Sequence, residues 1–178
     1  WTRRPSSDQV EDIIEIDNCP SPGLVSFLIG GVSDASAEET IRSLHDAIRS
    51  MLVCEQDPRV VKGAGSIYAR IANDIRNASL SEPGRERLAM EAYARALETI
   101  PFVLASNAGR EGLDAVLELR TKSRDETTID HGISVDGHIS AMEGVLHPAS
   151  SLISSLEAAV ETTVAMMRID QVVSARGD

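Results

Sequence analysis

The stretch EAYARALETIP (residues 91–101), followed after Phe102 and Val103 by LASNAG (104–109), decides how the chain is read. Pro83-Gly84 opens it. Leu88, Ala89, Ala92, Tyr93, Ala96 and Leu97 then recur at helical spacing and predict one apolar face. Pro101 has no N–H to donate and predicts an interruption. Asn107-Ala108-Gly109 suits the left-handed cap that ends a second, shorter helix.

Downstream, Gly112–Arg124 predicts another helix through Leu113, Val116, Leu117 and Leu119. Asp125–Pro148, with glycines at 132, 137 and 144, reads as irregular. Ala149 to Arg168 predicts a long helix, apolar on most sides and therefore expected to be buried. Ile169–Val173 reads as a final strand.

Upstream, Ser66 to Asn77 predicts a helix, and Lys62-Gly63-Ala64-Gly65 breaks the pattern before it. A further helix is capped by Ser33 or Asp34, with Glu38 and Glu39 near its positive end. Ile41, Leu44, Ile48, Met51 and Leu52 form its apolar face, and Asp46 lies nearly opposite. Val10–Ile16 and Leu24–Ile29 read as strands, the second buried, separated by a turn at Asn18–Gly23. The composition shifts near Gly63. Residues 1–9 are expected to be a tail, 10–62 an αβ segment and 63–178 a nearly all-helical one.

The bulk numbers fit a mainly helical chain. Hydrophobic residues make up 42% and aromatics only 3%, so Ala, Val, Leu, Ile and Met must fill the core. The net charge of −11 disfavours nucleic-acid binding. Only Lys62 and Lys122 are lysines, against fifteen arginines, a balance that suits either a high-salt cytoplasm, and hence a halophilic archaeon, or a proteome with biased codon use. No apolar run approaches the ~20 residues of a membrane helix. The chain does not open on a signal peptide, so a cytoplasmic location is expected. Cys19 and Cys54 form no CxxC pair. His45, His131, His138 and His147 show no metal-ligand spacing, so no metal site is expected.

At this point an ordered set of motifs resembles the group II chaperonins, the family of the archaeal thermosome and the eukaryotic TCP-1 ring complex. The family reads E-A-F-A-x-A-L-E-x-I-P and then L-A-x-N-A-G. Gly132-Ile133-Ser134-Val135 with Gly137 is similar to its G-I-D-V-x-x-G. Gly144-Val145 with Pro148 is similar to its G-V-x-E-P, and Met167-Arg168-Ile169-Asp170 to its L-R-I-D. Leu119-Arg120, Leu28-Ile29-Gly30-Gly31 and Leu44-His45-Asp46-Ala47 extend the likeness from about Asp12 to Val173.

The resemblance implies a mainly α fold with short strands. Part of an α/β intermediate domain would join the C-terminal half of the equatorial, ATP-binding domain, and the substrate-holding apical domain would be absent. It implies ATP with Mg²⁺ as cofactors, other subunits in a homo- or hetero-oligomeric ring, and unfolded client proteins. Asp46 matches the aspartate that activates water for γ-phosphate hydrolysis. Gly63-Ala64-Gly65 matches a Gly-Gly-Gly where backbone approaches the nucleotide, and Gly132, Ile133, Ser134 and His147 would line the adenine and ribose pocket. Three positions depart from the pattern. Ala64 stands for Gly, Ser134 for Asp, and His147 for a Glu whose carboxylate would accept both ribose hydroxyls. The Gly-Asp-Gly-Thr-Thr phosphate loop of the family does not occur in these residues. The expected function is part of an ATP-dependent folding machine, inactive as this piece alone. An ATPase-inactive, chaperonin-derived helical interaction module is the other reading.

Overall fold

The computed structural model describes residues 2–4, 13–15, 23 and 25–169. The chain divides into two compact units, Trp1–Asp46 and Ala47–Asp178. Their division falls inside the helix α1, Asp34–Gln56.

In the first unit, β1 (Thr2–Arg4) pairs antiparallel with β2 (Ile13–Glu15), Arg3 opposite Ile14. β2 falls inside the strand expected at Val10–Ile16, and β1 inside the expected tail. The buried strand expected at Leu24–Ile29 is corrected: residues 25–31 have no regular structure, and Val25, Phe27 and Leu28 are exposed. An apolar run needs a paired neighbour to become a buried strand, and none pairs with it among the described residues. Ser33 caps α1, its hydroxyl accepting the Ser36 N–H at 3.3 Å. The apolar stripe of α1 is present, yet none of the helix's residues is buried.

The second unit is built on α2 (Ser66–Ser79), α3 (Glu86–Asn107) and α4 (Gly112–Lys122). Small residues let these helices approach closely. Ala69 and Ala72 on α2, Ala94 and Ala105 on α3 and Ala115 on α4 are almost wholly buried. Leu97, Leu119 and Ile133 complete two adjoining core clusters, one flanked by Tyr68, Ile71, Tyr93 and Leu156. The packed face of α3 is Ala94, Leu97, Glu98, Pro101 and Ala105; of the expected face, Leu97 is buried and Tyr93 packs beside it, whereas Leu88, Ala89, Ala92 and Ala96 are exposed. The apolar pattern misled because the true face contains a glutamate and a proline.

Pro101 does not break α3, contrary to expectation. A proline inside a helix costs about 3 kcal/mol. Here Leu97 on one side of it and Ala105 on the other are both buried, and this packing holds the two halves in line. The expected left-handed cap is found. Gly109 has φ +78°, with Arg110 N–H donating to Ala105 O and Gly109 N–H to Ser106 O, both at 3.0 Å.

The stretch expected to be irregular contains three short strands instead: β4 (His131–Ile133), β5 (Ile139–Ala141) and β6 (Leu146–Pro148). β4 and β5 form an antiparallel hairpin. β6 pairs with β3 (Val60–Lys62), a strand that went unpredicted. The long helix α5 (Ala149–Met167) begins at the expected residue, but its expected burial is corrected. Only Ala149 and Leu152 are buried, and Ile153, Val160, Met166 and Met167 are exposed. Apolar character on several sides buries a helix only where neighbours cover those sides. The expected final strand falls on Ile169, which is not in a strand, and on residues 170–173, outside the described residues.

Candidate nucleotide-binding wall

Two strand pairs converge on the short segment between β3 and α2. Val61 faces His147 across the β3–β6 ladder. Immediately after β3, Gly63 N–H donates to Val145 O at 2.9 Å. One residue on, Ala64 O accepts the Ile133 N–H at 2.9 Å, tying the segment to β4. Gly63 O then accepts the Ser66 N–H at 3.0 Å, and the Ser66 hydroxyl donates to Ile129 O at 3.0 Å. Residues 63–65 are thus clamped from both sides before the helix starts.

The backbone here is left-handed at two successive residues, Ala64 (φ +52°) and Gly65 (φ +80°). Gly65 adopts this without strain, whereas an L-residue such as Ala64 pays about 1 kcal/mol. Space is equally tight. A Cβ on Gly63 would lie 2.8 Å from Val145 Cγ1 and 3.1 Å from the His147 ring. A Cβ on Gly132 would meet Ala64 O at 2.8 Å and Ala64 Cβ at 2.9 Å. Gly132 therefore makes the room that the Ala64 methyl occupies.

The structure brings Gly63, Ala64, Gly65, Gly132, Ile133 and His147 together. The His147 imidazole is exposed and lies beside Gly63. Ser134 follows Ile133, but its polar groups serve the hairpin. Its N–H donates to His138 O at 2.9 Å, and its hydroxyl lies within reach of His138 O and the Asp136 carboxylate. That hydroxyl helps hold the Asp136 carboxyl below the ordinary aspartate range. Asp46 belongs to the first unit. Its side chain is 83% exposed on α1, with His45 Nδ1 3.9 Å from the carboxylate. Such a carboxylate has open lone pairs for water.

Sequence reasoning missed a charged cluster behind this wall. Glu98, on the packed face of α3, is only 5% exposed. Arg76 of α2 donates to both its oxygens at 2.6 and 2.5 Å, and Arg120 of α4 does so at 2.9 and 2.8 Å. Burial pushes the Glu98 carboxyl up, but the hydrogen bonds and charges of the two guanidiniums outweigh it and hold it below the ordinary glutamate range. Beside it, Asn73 donates to Arg120 O at 3.0 Å and to Ser123 Oγ at 2.5 Å. A readable signal exists: an acidic residue three and four positions from buried neighbours on one helix face demands a cation.

Cys54 is a free, half-buried thiol, and Cys19 lies outside the described residues. Among the described residues no three His, Cys, Asp or Glu side chains group as metal ligands, and no helix is long and apolar enough to cross a membrane.

A clamped glycine-rich turn, an adjoining hairpin and a β6 side chain thus meet at one place. Residues 4–177 match the TCP-1/cpn60 chaperonin family, and the chain belongs to that family. It is 36% identical over 170 residues to thermosome subunit alpha of Archaeoglobus fulgidus, covering 94% of this chain and 31% of that subunit. A thermosome subunit of Methanopyrus kandleri is also 36% identical, over 169 residues, again with 31% of its length covered. The open-state monomer of a group II chaperonin from Methanococcoides burtonii superposes with a TM-score of 0.66 at 31% identity, over 78% of this chain and 35% of that one. The chain thus spans about a third of the length of the chaperonin subunits it matches.

Proposed function

We propose that residues 63–65, 132–134 and 147 form one wall of the nucleotide site of a group II chaperonin subunit. The complete protein would bind ATP with Mg²⁺ and use its hydrolysis to drive folding of unfolded proteins inside a double ring of like subunits in the cytoplasm. One observation carries this reading. Segments more than sixty residues apart in sequence meet at residues 63–65, where Gly63 and Gly132 are packed too closely for side chains while Ala64 is partly accessible and His147 exposed. A nucleotide base and sugar would meet this turn at Ala64 and His147. Mg²⁺ would come with the phosphates of ATP, which hold it in most such sites. Asp46 would orient and deprotonate the attacking water. The sequence boundary near Gly63 would then separate an intermediate-domain segment, 10–62, from equatorial residues 63–178.

The second reading, an interaction module that has lost ATPase activity, is favoured by a specific feature. Ala64 keeps a left-handed backbone that glycine would adopt freely, and His147 offers an imidazole with at most one acceptor instead of a carboxylate. ATP hydrolysis by the full-length protein separates the two. The ATPase reading predicts turnover that falls about a hundredfold or more in Asp46→Ala. Absence of turnover in the unmodified protein leaves the module, and equal rates in both proteins remove the role of Asp46.

A further inference from the structure

Three arginines, one from each core helix, converge on a cleft that the nucleotide wall does not use. Arg76 in the last turn of α2, Arg95 midway along α3 and Arg120 in the last turn of α4 line a cavity of about 280 Å³ together with Ser79, Leu80 and Glu91. Two carboxylates stand close by, and both are already engaged. Glu98 is held by Arg76 and Arg120, and Glu91 accepts from Arg87 Nε at 2.9 Å. Arg95 has no carboxylate partner among the described residues. Arg76, Arg87, Arg95 and Arg120 against Glu91 and Glu98 leave a local charge of +2 in a chain whose net charge is −11.

The donors are not exhausted. Each guanidinium carries five N–H groups. Arg76 spends one on each Nη and Arg120 one on Nε and one on Nη2, so both keep three, and Arg95 keeps all five. Arg76 and Arg120 are also well desolvated, their side chains 21% and 29% exposed, which strengthens any further charge they meet.

We propose that this cleft binds a phosphate-type oxyanion. A planar carboxylate satisfies one guanidinium fork, and Glu98 already fills that role. A tetrahedral dianion presents oxygens in several directions and suits forks arriving from three separate helices. Bound there, it would cancel the local excess charge and tie α2, α3 and α4 together, so occupancy raises the stability of the helical core.

The test is titration of the full-length protein with inorganic phosphate by calorimetry, with thermal melting in parallel, at ionic strength held constant with potassium chloride. Arg95→Gln is the informative variant because Arg95 is exposed and holds neither Glu98 nor the core. The expected result is saturable phosphate binding with a raised melting temperature, weakened about tenfold or more in Arg95→Gln. Phosphate bound elsewhere in the full-length protein is untouched by this substitution, so only the difference between the two proteins counts. Equal phosphate binding by both, or a phosphate effect no larger than that of chloride, overturns the proposal.

Discussion

The centre of α3 and the 63–65 turn are a few residues' width apart in the fold, since Gly65 packs against Pro101, yet they are built on opposite principles. Around Glu98 both carboxylate oxygens are answered, by two guanidiniums donating four hydrogen bonds beside a packed alanine-rich core. At Ala64 and Gly65 the backbone is left-handed, Gly63 and Gly132 have no room for a side chain, and the imidazole beside them is left open to solvent. The first arrangement spends charge on rigidity. The second accepts local strain and leaves one imidazole accessible. The rigid core keeps the strained turn from relaxing.

The largest effect that would break this contrast is in the core. Glu98→Ala leaves two half-buried guanidiniums facing each other without their carboxylate. It is expected to cost about 3 kcal/mol, read by chemical denaturation. A loss below about 1 kcal/mol would mean the cluster is merely a surface ion pair.

The same cluster sets a pH dependence. The folded-state pKa of Glu98 is depressed below its ordinary 4.5, so its stabilising contribution is complete above the unfolded-state value. That contribution drains away as pH falls from about 4.5 through the lower folded-state value. Melting temperature followed from pH 6 downward should therefore fall more steeply in the unmodified protein than in Glu98→Gln, which has no proton to take up.

A smaller effect belongs to the turn. Ala64→Gly relieves the left-handed strain and should stabilise the protein by about 1 kcal/mol, or a few degrees in melting temperature. Destabilisation instead would show that the Ala64 methyl, packed where Gly132 makes room, contributes more than the strain costs.

Local signals were legible and non-local ones were not. Asn107-Ala108-Gly109 encodes its own cap, and Ser33 its own helix start, because the partners lie within a few residues. β3 and β6 are three-residue strands whose pairing spans Val61 to His147, and nothing near either of them announces the other. The register of α3 was misread because Glu98 and Pro101 stand on its packed face, where a pattern of apolar letters cannot find them. The stripe of α1 and the apolar sides of α5 are real but largely uncovered, so composition gave the character of those helices and not their burial. The candidate wall was readable residue by residue through family resemblance. That Gly63 would touch His147, and that Gly132 would make way for Ala64, required the fold.

The most direct test of the wall is nucleotide affinity, measured by titrating the full-length protein and its His147→Glu variant with a fluorescent adenine nucleotide. His147 is exposed, so the substitution leaves the fold intact while supplying a carboxylate beside Gly63. If this surface meets the ribose, the variant should bind about tenfold more tightly, as expected for an added charge-assisted hydrogen bond. Unchanged affinity, or no nucleotide binding by either protein, would contradict the assignment of residues 63–65, 132–134 and 147 to a nucleotide site.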